Sequence, residues 1–377
     1  MHLISLITSI LLTVLIALVS VSLGLRKTSV PLIVLLSVCI AVVVVCCALS
    51  WYTWGTIQKG TLSVSERQLL RQVLLNSSDW KCVISLCTHE SRILKIKPMI
   101  DSIVRQSMFD ASKFTIVINL PRTFRGKPQH YDLENLPEFL NQPYIKPVLI
   151  DDIGPASKVV YAGLGQDEKT CIISVDDDIE YPSNFLETMI SRWVAKPLKQ
   201  RQKTILTGSG IYLLDSVDAA MYVFEDQKRV AIFEGAGGVL YPSGFFSQEL
   251  IDWIKKLPKE CRMGDDFILS MWAGTHGFEA FRVNPNGTWV SLLWLLSYGV
   301  DGSTPALHSA KSDNECGVNV IFGCHTNTLN YQSCAKYIRE NGTEDQKKWI
   351  ETAYDPSPKS IQQTKNFLQS CALYFIA

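Results

Sequence analysis

Cys171-Ile172-Ile173-Ser174-Val175-Asp176-Asp177-Asp178-Ile179-Glu180-Tyr181-Pro182 is the stretch on which the reading of this chain turns. Its first five residues form an apolar run too short for a helix, and they fit a strand buried on both faces. Three aspartates follow at the carboxyl end, the edge at which open α/β sheets bind their ligands. Residues two apart in an extended chain project together, so Asp176 and Asp178 are expected on one side and Asp177 on the other. Converging carboxylates repel unless a cation offsets them. Mg²⁺ or Mn²⁺, completed by a diphosphate, suits that ligand set. The plain alternative is an idle, solvated acidic turn.

The surrounding sequence extends the pattern. Upstream, residues 81–87 and 114–120 are apolar runs, and between them Ile96, Met99, Ile100, Ile103 and Val104 recur at helical spacing. Strand, helix, strand opens an α/β domain with a parallel sheet. A short strand at 148–150 ends in Asp151-Asp152, a helix start is expected at 155–164, and an amphipathic helix at 183–194. Further on, 205–214 and 222–233 read as antiparallel strands, 234–238 as a Gly-rich turn, and 246–257 and 265–274 as helices. Beyond Gly302 the chain reads as a polar tail.

The 377 residues hold 36 Lys+Arg and 36 Asp+Glu, a balance that argues against a general nucleic-acid binder. The apolar excess sits in the first fifty residues. Runs 3–25 and 30–50 each reach the roughly 20 residues that span a bilayer as a helix. Only Arg26 and Lys27 interrupt them, so a hairpin turning at 26–29 is expected. A cleaved signal peptide fits less well, because no basic residue precedes the first run. Trp51, Tyr52 and Trp54 read as an interfacial belt. The expected organisation is a transmembrane hairpin at 1–54, a juxtamembrane linker at 55–79, a catalytic domain at 80–310 and a C-terminal extension at 311–377. This makes an integral, multi-pass protein of an endomembrane or the cell membrane, with the bilayer as a partner. Arg26 and Lys27 favour a lumenal or extracellular domain, as the sequons at Asn76, Asn286 and Asn341 permit; Lys59, Arg67, Arg71 and Lys81 pull the other way.

Of 11 cysteines, Cys39, Cys46 and Cys47 lie in the second apolar run, and none shows the C-x-x-C spacing of a zinc site. Cys82, Cys87 and Cys171 are expected as buried thiols. Cys316, Cys324 and Cys334 are expected to supply a disulfide if the compartment is oxidising.

Four motifs, in this order, carry a resemblance: Thr88-His89-Glu90-Ser91-Arg92, Gly154-Pro155-Ala156-Ser157-Lys158, Val175 through Pro182, and Gly264-Asp265-Asp266-Phe267. Over about residues 80–310 the chain resembles the GT-A glycosyltransferases similar to family 2. The resemblance implies a Rossmann-like nucleotide-diphospho-sugar transferase domain. It implies metal-dependent transfer from a nucleotide-sugar donor, a UDP-sugar, to a hydroxyl of a glycan, glycolipid or other acceptor, with inversion. By the family pattern Thr88, His89 and Arg92 contact the nucleotide, and Asp152 and Lys158 meet uracil or ribose and the phosphates. Asp178 binds the metal and Asp176 serves ribose or a metal-bound water, with Asp177 among the donor-binding residues. Gly237 and Gly238 border donor sugar and acceptor, and His308 is a late metal ligand. Asp266, with Asp265 in reserve, accepts the proton of the attacking hydroxyl.

Each residue has a plainer reading. Arg92 reads as a solvated loop charge, Gly154-Pro155 as a helix start, the Asp265-Asp266 pair as an N-cap, and His308 as a surface or core residue. Three rival functions remain. A non-catalytic nucleotide- or sugar-binding membrane protein on the same fold is expected to have lost the carboxylates. A nucleotidyltransferase wants a Gly-rich basic loop after the first strand, which 88–92 lacks. An aspartyl-phosphate phosphatase usually carries Thr or Val where Ile179 stands.

Overall fold

The structure is a computed structural model, and it describes residues 64–124, 126–213, 220–222, 226–283 and 326–353. The transmembrane hairpin expected at 1–54 lies outside the described residues, as do His308, Cys316, Cys324 and Asn286. Among the described residues no helix is long and apolar enough to cross a membrane. The chain divides into Met1–Arg67 and a compact unit, Gln68–Ala377.

The strands are β1 (Lys81–Cys87), β2 (Phe114–Pro121), β3 (Thr123–Phe124), β4 (Lys127–Pro128), β5 (Ile145–Ile150), β6 (Thr170–Ser174), β7 (Thr204–Leu213), β8 (Ala220–Tyr222), β9 (Ile232–Pro242) and β10 (Glu279–Arg282). The main sheet runs β10-β7-β9-β6-β1-β2-β5, with β8 on β7, and β3 pairs with β4 apart from it. β1 is parallel to β2 and β6, and β2 to β5. β9 runs antiparallel to β6 and β7, while β10 is parallel to β7. The result is a mixed α/β, Rossmann-like sheet. Its order reverses between β1, which leads on to β2 and β5, and β6 on the other side. The carboxyl ends of β1 and β6 therefore flank the crevice where such sheets take ligands.

Alternation along β1 separates two apolar layers. Cys82, Ile84 and Leu86 join the layer under the helices Lys97–Val104 and Phe185–Val194; Val83 joins the other. That second layer lies under the helices Gln248–Lys256, Asp265–Thr275, Thr326–Asn341 and Glu344–Ala353. The sheet is covered on both faces, which is why its central strands read as unbroken apolar runs. Strand β5 begins three residues earlier than expected, because an edge strand tolerates Pro147.

Two expectations change. The Gly-rich segment 234–238 is not a turn but a wide bulge inside β9. Pairing passes from Thr207–Val239 directly to Ser209–Glu234, so four residues of β9 face Gly208 alone. Glycine is required there by close backbone approach. A Cβ on Gly237 would lie 2.3 Å from the Ser209 nitrogen, and one on Gly208 would lie 2.3 Å from the Gly237 oxygen. The strand expected over 222–233 is accordingly split between β8 and the start of β9.

The second change concerns the C-terminal segment. Thr326–Asn341 and Glu344–Ala353 are helices of the same compact unit, with Tyr331, Cys334, Ile338, Trp349 and Ile350 buried. Cys334 is bonded to Cys261 rather than to Cys316 or Cys324. Cys82 and Cys171 are buried free thiols, and Cys87 is half-buried.

Gly237→Ala is expected to destabilise the fold by about 1–3 kcal/mol through overpacking at the bulge. Gly244→Ala, where a Cβ meets nothing within 4 Å, is expected to stay within about 0.5 kcal/mol of the parent. Urea unfolding of the two variants checks the contrast.

Candidate active site

The loop after β5 begins the site. Asp152 accepts a hydrogen bond from the Gly154 N–H (2.9 Å), and the Ser157 hydroxyl accepts one from the Ile153 N–H (3.0 Å). Gly154 has φ +96°, and a Cβ there would lie 2.8 Å from the Arg262 carbonyl oxygen. Only glycine lets this loop press against the segment that leads into Asp265. The turn Pro155–Lys158 follows, and the Lys158 carbonyl accepts hydrogen bonds from Ser85 Oγ (2.5 Å) and Asn119 Nδ2 (3.1 Å). Its backbone is thereby tied to β1 and β2.

The Lys158 side chain reaches two acidic motifs. Its Nζ lies 3.1 Å from Asp176 Oδ1 and 3.1 Å from Asp265 Oδ2, and the side chain is 12% exposed. It passes over Gly235, where a Cβ would fall 2.2 Å from Nζ. Burial alone pulls the ammonium's pKa down; Asp176, Asp265, Asp266 and Tyr241 outweigh it and hold it well above the ordinary lysine range. Lys158 is thus a buried cation whose partners are carboxylates, not a solvated helix-start residue.

The helix Asp265–Thr275 takes Gly264 as its N-cap, with no side-chain cap bond. Neither aspartate caps it. Asp266 instead accepts from the Gly235 N–H through Oδ1 (2.8 Å) and from the Tyr331 hydroxyl through Oδ2 (2.9 Å). Burial and the neighbouring Asp265 charge push Asp266 well above the carboxylate range; Lys158 and the Gly235 N–H pull it back, while Glu234 adds to the rise. Glu234 accepts from Ser209 Oγ (2.6 Å), and burial raises its pKa to about 7 against that bond.

The aspartate triplet does not alternate as an extended chain does. β6 ends at Ser174, and Asp177 and Asp178 lie in a turn. Arg92 Nη2 bridges Asp177 (3.1 Å) and Asp178 (3.2 Å), while Asp176 turns to Lys158. The pairing is therefore 177 with 178, not 176 with 178. Arg92 is 14% exposed and carries two ion pairs, so it is no solvated loop charge. Asp177 is raised to about 6 by burial; Arg92 and the Thr88 hydroxyl hold it down, and Asp178 and Asp176 push it up.

His89 stacks on Phe124 with centroids 4.2 Å apart, and its Nδ1 lies 3.0 Å from Ser91 Oγ. Thr88 is buried, its carbonyl accepting from Tyr131 Oη at 3.5 Å. Beside Tyr131 opens a cleft of about 530 Å³ lined by Arg122, Gln129, His130, Asp132 and Leu149. Gly237 and Gly238 face the interior. Gly238 has φ +72°, and a Cβ there would meet the Phe185 ring at 2.4 Å. Gly235 is the glycine that faces the site. Sequence reasoning missed it, together with Glu234 and Tyr331. The signal for Tyr331 was Cys334, three residues on along the same helix face, a cysteine in need of a partner.

Two outcomes are expected. Lys158→Met leaves Asp176 and Asp265 without their cation and costs about 3–5 kcal/mol near neutral pH, less in acid, by urea unfolding. Glu234 titrates near 7 against an ordinary 4.5. A carboxyl with a raised folded-state pKa stabilises while protonated, fully below its unfolded value, and that contribution is lost as pH rises through the folded one. Glu234→Gln should therefore flatten the decline in melting temperature between about pH 4.5 and pH 7.

No protein-family model matches the chain, and no curated protein does. Among solved structures it is similar to a 4-diphosphocytidyl-2C-methyl-D-erythritol synthase from Anaerococcus prevotii DSM 20548, with TM-score 0.35 and 9% identity over 57% of this chain and 95% of that one. It is also similar to the Francisella tularensis 2-C-methyl-D-erythritol 4-phosphate cytidylyltransferase, with TM-score 0.33 and 10% identity over 55% and 91%. A third is a UDP-glucose pyrophosphorylase solved with UDP-glucose, with TM-score 0.34 and 14% identity over 55% and 91%. Likeness at that level carries no argument about chemistry, and the functional reading rests on the site itself.

Proposed function

We propose that the chain is a metal-dependent, inverting glycosyltransferase that moves a sugar from a nucleotide-sugar donor, a UDP-sugar, to a hydroxyl of a glycan, glycolipid or other acceptor. The observation that carries this reading is the Lys158 bridge. One buried ammonium, 3.1 Å from both Asp176 and Asp265, joins the acidic strand end to the acidic helix start at the ligand-binding edge of the sheet. The first of these motifs suits a cation and a diphosphate, and the second supplies a base.

The residues fit a divalent ion of the phosphate-bridged kind. Asp176 and Asp178 are 28% and 31% exposed, and each holds its cation through one oxygen. Among the described residues no three potential ligands converge. Mg²⁺ and Mn²⁺ sites completed by substrate phosphates and water need only one or two carboxylates. Asp178, with Asp176 second, would hold the ion, and such an ion offsets the charge that builds on the departing diphosphate.

The chain's own groups do the rest. Arg92 and Lys158 would meet phosphate oxygens of the donor, Arg92 with a planar fork that matches phosphate. Thr88, His89 and Asp152 would meet the donor's base and ribose, as the motifs imply. Asp266 accepts the proton of the acceptor hydroxyl as that oxygen attacks the anomeric carbon from the face opposite the diphosphate. Its raised pKa brings a carboxylate toward the operating range of a general base. The apolar runs of 1–54 would hold the domain at a bilayer.

The full-length chain in detergent is tested for turnover of UDP-, GDP- and CMP-sugars with Mn²⁺, Mg²⁺ or EDTA. One donor is expected to be hydrolysed or transferred only with metal. Asp178→Ala should abolish that turnover, and Asp266→Ala should lower it by roughly 10²–10⁴-fold while donor binding persists. A folded chain that neither binds nor turns over any donor would instead be a non-catalytic member of the same fold.

A further inference from the structure

We propose that Tyr331, carried by the helix Thr326–Asn341, is a positioning residue for Asp266, so that the C-terminal segment is part of the catalytic site. This rests on the reading of Asp266 as the base. The Tyr331 hydroxyl donates to Asp266 Oδ2 at 2.9 Å, and the residue is 2% exposed. Its ring stacks on Phe267 (centroids 5.8 Å) and lies over Gly264, where a Cβ would come within 3.0 Å of Cδ1. Three residues on, Cys334 is bonded to Cys261, in the short helix Lys259–Met263 directly before Asp265. Helix and base are therefore clamped to the same few residues.

The clamp has a chemical consequence. With Gly235 N–H on Oδ1 and Tyr331 Oη on Oδ2, both carboxylate oxygens are held and the group cannot turn. Each oxygen keeps one lone pair free for an incoming proton. The titratable groups facing Asp266 are Asp265, Glu234, Lys158, Tyr241 and Tyr331. Burial first, and then the Asp266, Glu234 and Asp265 charges, push the Tyr331 phenol well above its ordinary range, so it stays a donor. A donor to the ionised carboxylate favours that form and counters the burial that opposes it. Tyr331 thereby keeps a buried base available.

The test is Tyr331→Phe in the full-length chain, which keeps the ring, the Phe267 stack and the disulfide. The first readout needs no substrate: melting temperature against pH, beside the parent. The lost bond is charge-assisted only while Asp266 is ionised, so the melting loss is expected to be roughly two-fold larger at about pH 9 than at about pH 5. The second is kcat/KM against pH with the donor found in the screen. A roughly ten-fold fall near pH 7 is expected, with the acid limb moved upward and donor KM unchanged. A melting loss equal at every pH, with an unmoved acid limb, would mean that Tyr331 only packs, and would overturn the inference. Asp266→Asn separates the two readings: turnover that survives it removes Asp266 as base, whereas the melting profile alone decides whether Tyr331 governs Asp266.

Discussion

The ammonium of Lys158 sits between carboxylates that arrive from different parts of the domain, and much of the site depends on how that one charge is shared. Removing a lysine from water is costly, and three aspartates and a tyrosine around it outweigh the cost. The same lysine moderates the repulsion among Asp176, Asp265 and Asp266, which could not otherwise gather at one edge of a sheet. Its position is set by its own carbonyl, tied to β1 and β2 through Ser85 and Asn119. The cation is thus held by the central strands, while its partners come from the strand end after β6 and from the helix Asp265–Thr275.

Backbone proximity is the second constraint. Glycines at 154, 208, 235 and 237 stand where a Cβ would strike backbone or the Lys158 ammonium. Gly154 lets the β5 loop dock on Arg262, and Gly235 leaves room for the lysine while its N–H orients Asp266. The bulge in β9 follows from the same packing: the three-residue excess against β7 carries Gly235 away from the ladder and toward the acidic cluster. Strand irregularity is here the means by which a main-chain donor reaches a carboxylate.

The C-terminal helices complete the second apolar layer. Trp349 packs edge-on against Phe267 and occupies the space beside Gly274. Tyr331 stacks on the same ring. Phe267 directly follows Asp266, so the packing that buries it also holds the proposed base in place. Stability and chemistry share these contacts, and the Cys261–Cys334 bond ties them together.

What the sequence determined by itself was whatever depends on local periodicity and on residue type at a strand end. The unbroken apolar runs of β1, β2 and β6 read as buried strands because both faces of the sheet are covered. Asp176 and Asp178 stood out as candidates because charge at the carboxyl edge of such a sheet demands a partner, whereas Lys158, Arg92 and Asp266 became candidates through the ordered motifs that carry the resemblance. The tertiary structure alone decided the pairings: Arg92 with Asp177 and Asp178, Lys158 with Asp176 and Asp265, Cys334 with Cys261, and Tyr331 on Asp266. Those contacts join residues 18 or more positions apart, and spacing along a chain holds no information about which distant groups the packing of two layers brings into contact. The glycines of β9 read as a turn for a related reason: a missing side chain looks the same in sequence whether it frees a backbone to bend or lets another backbone come close.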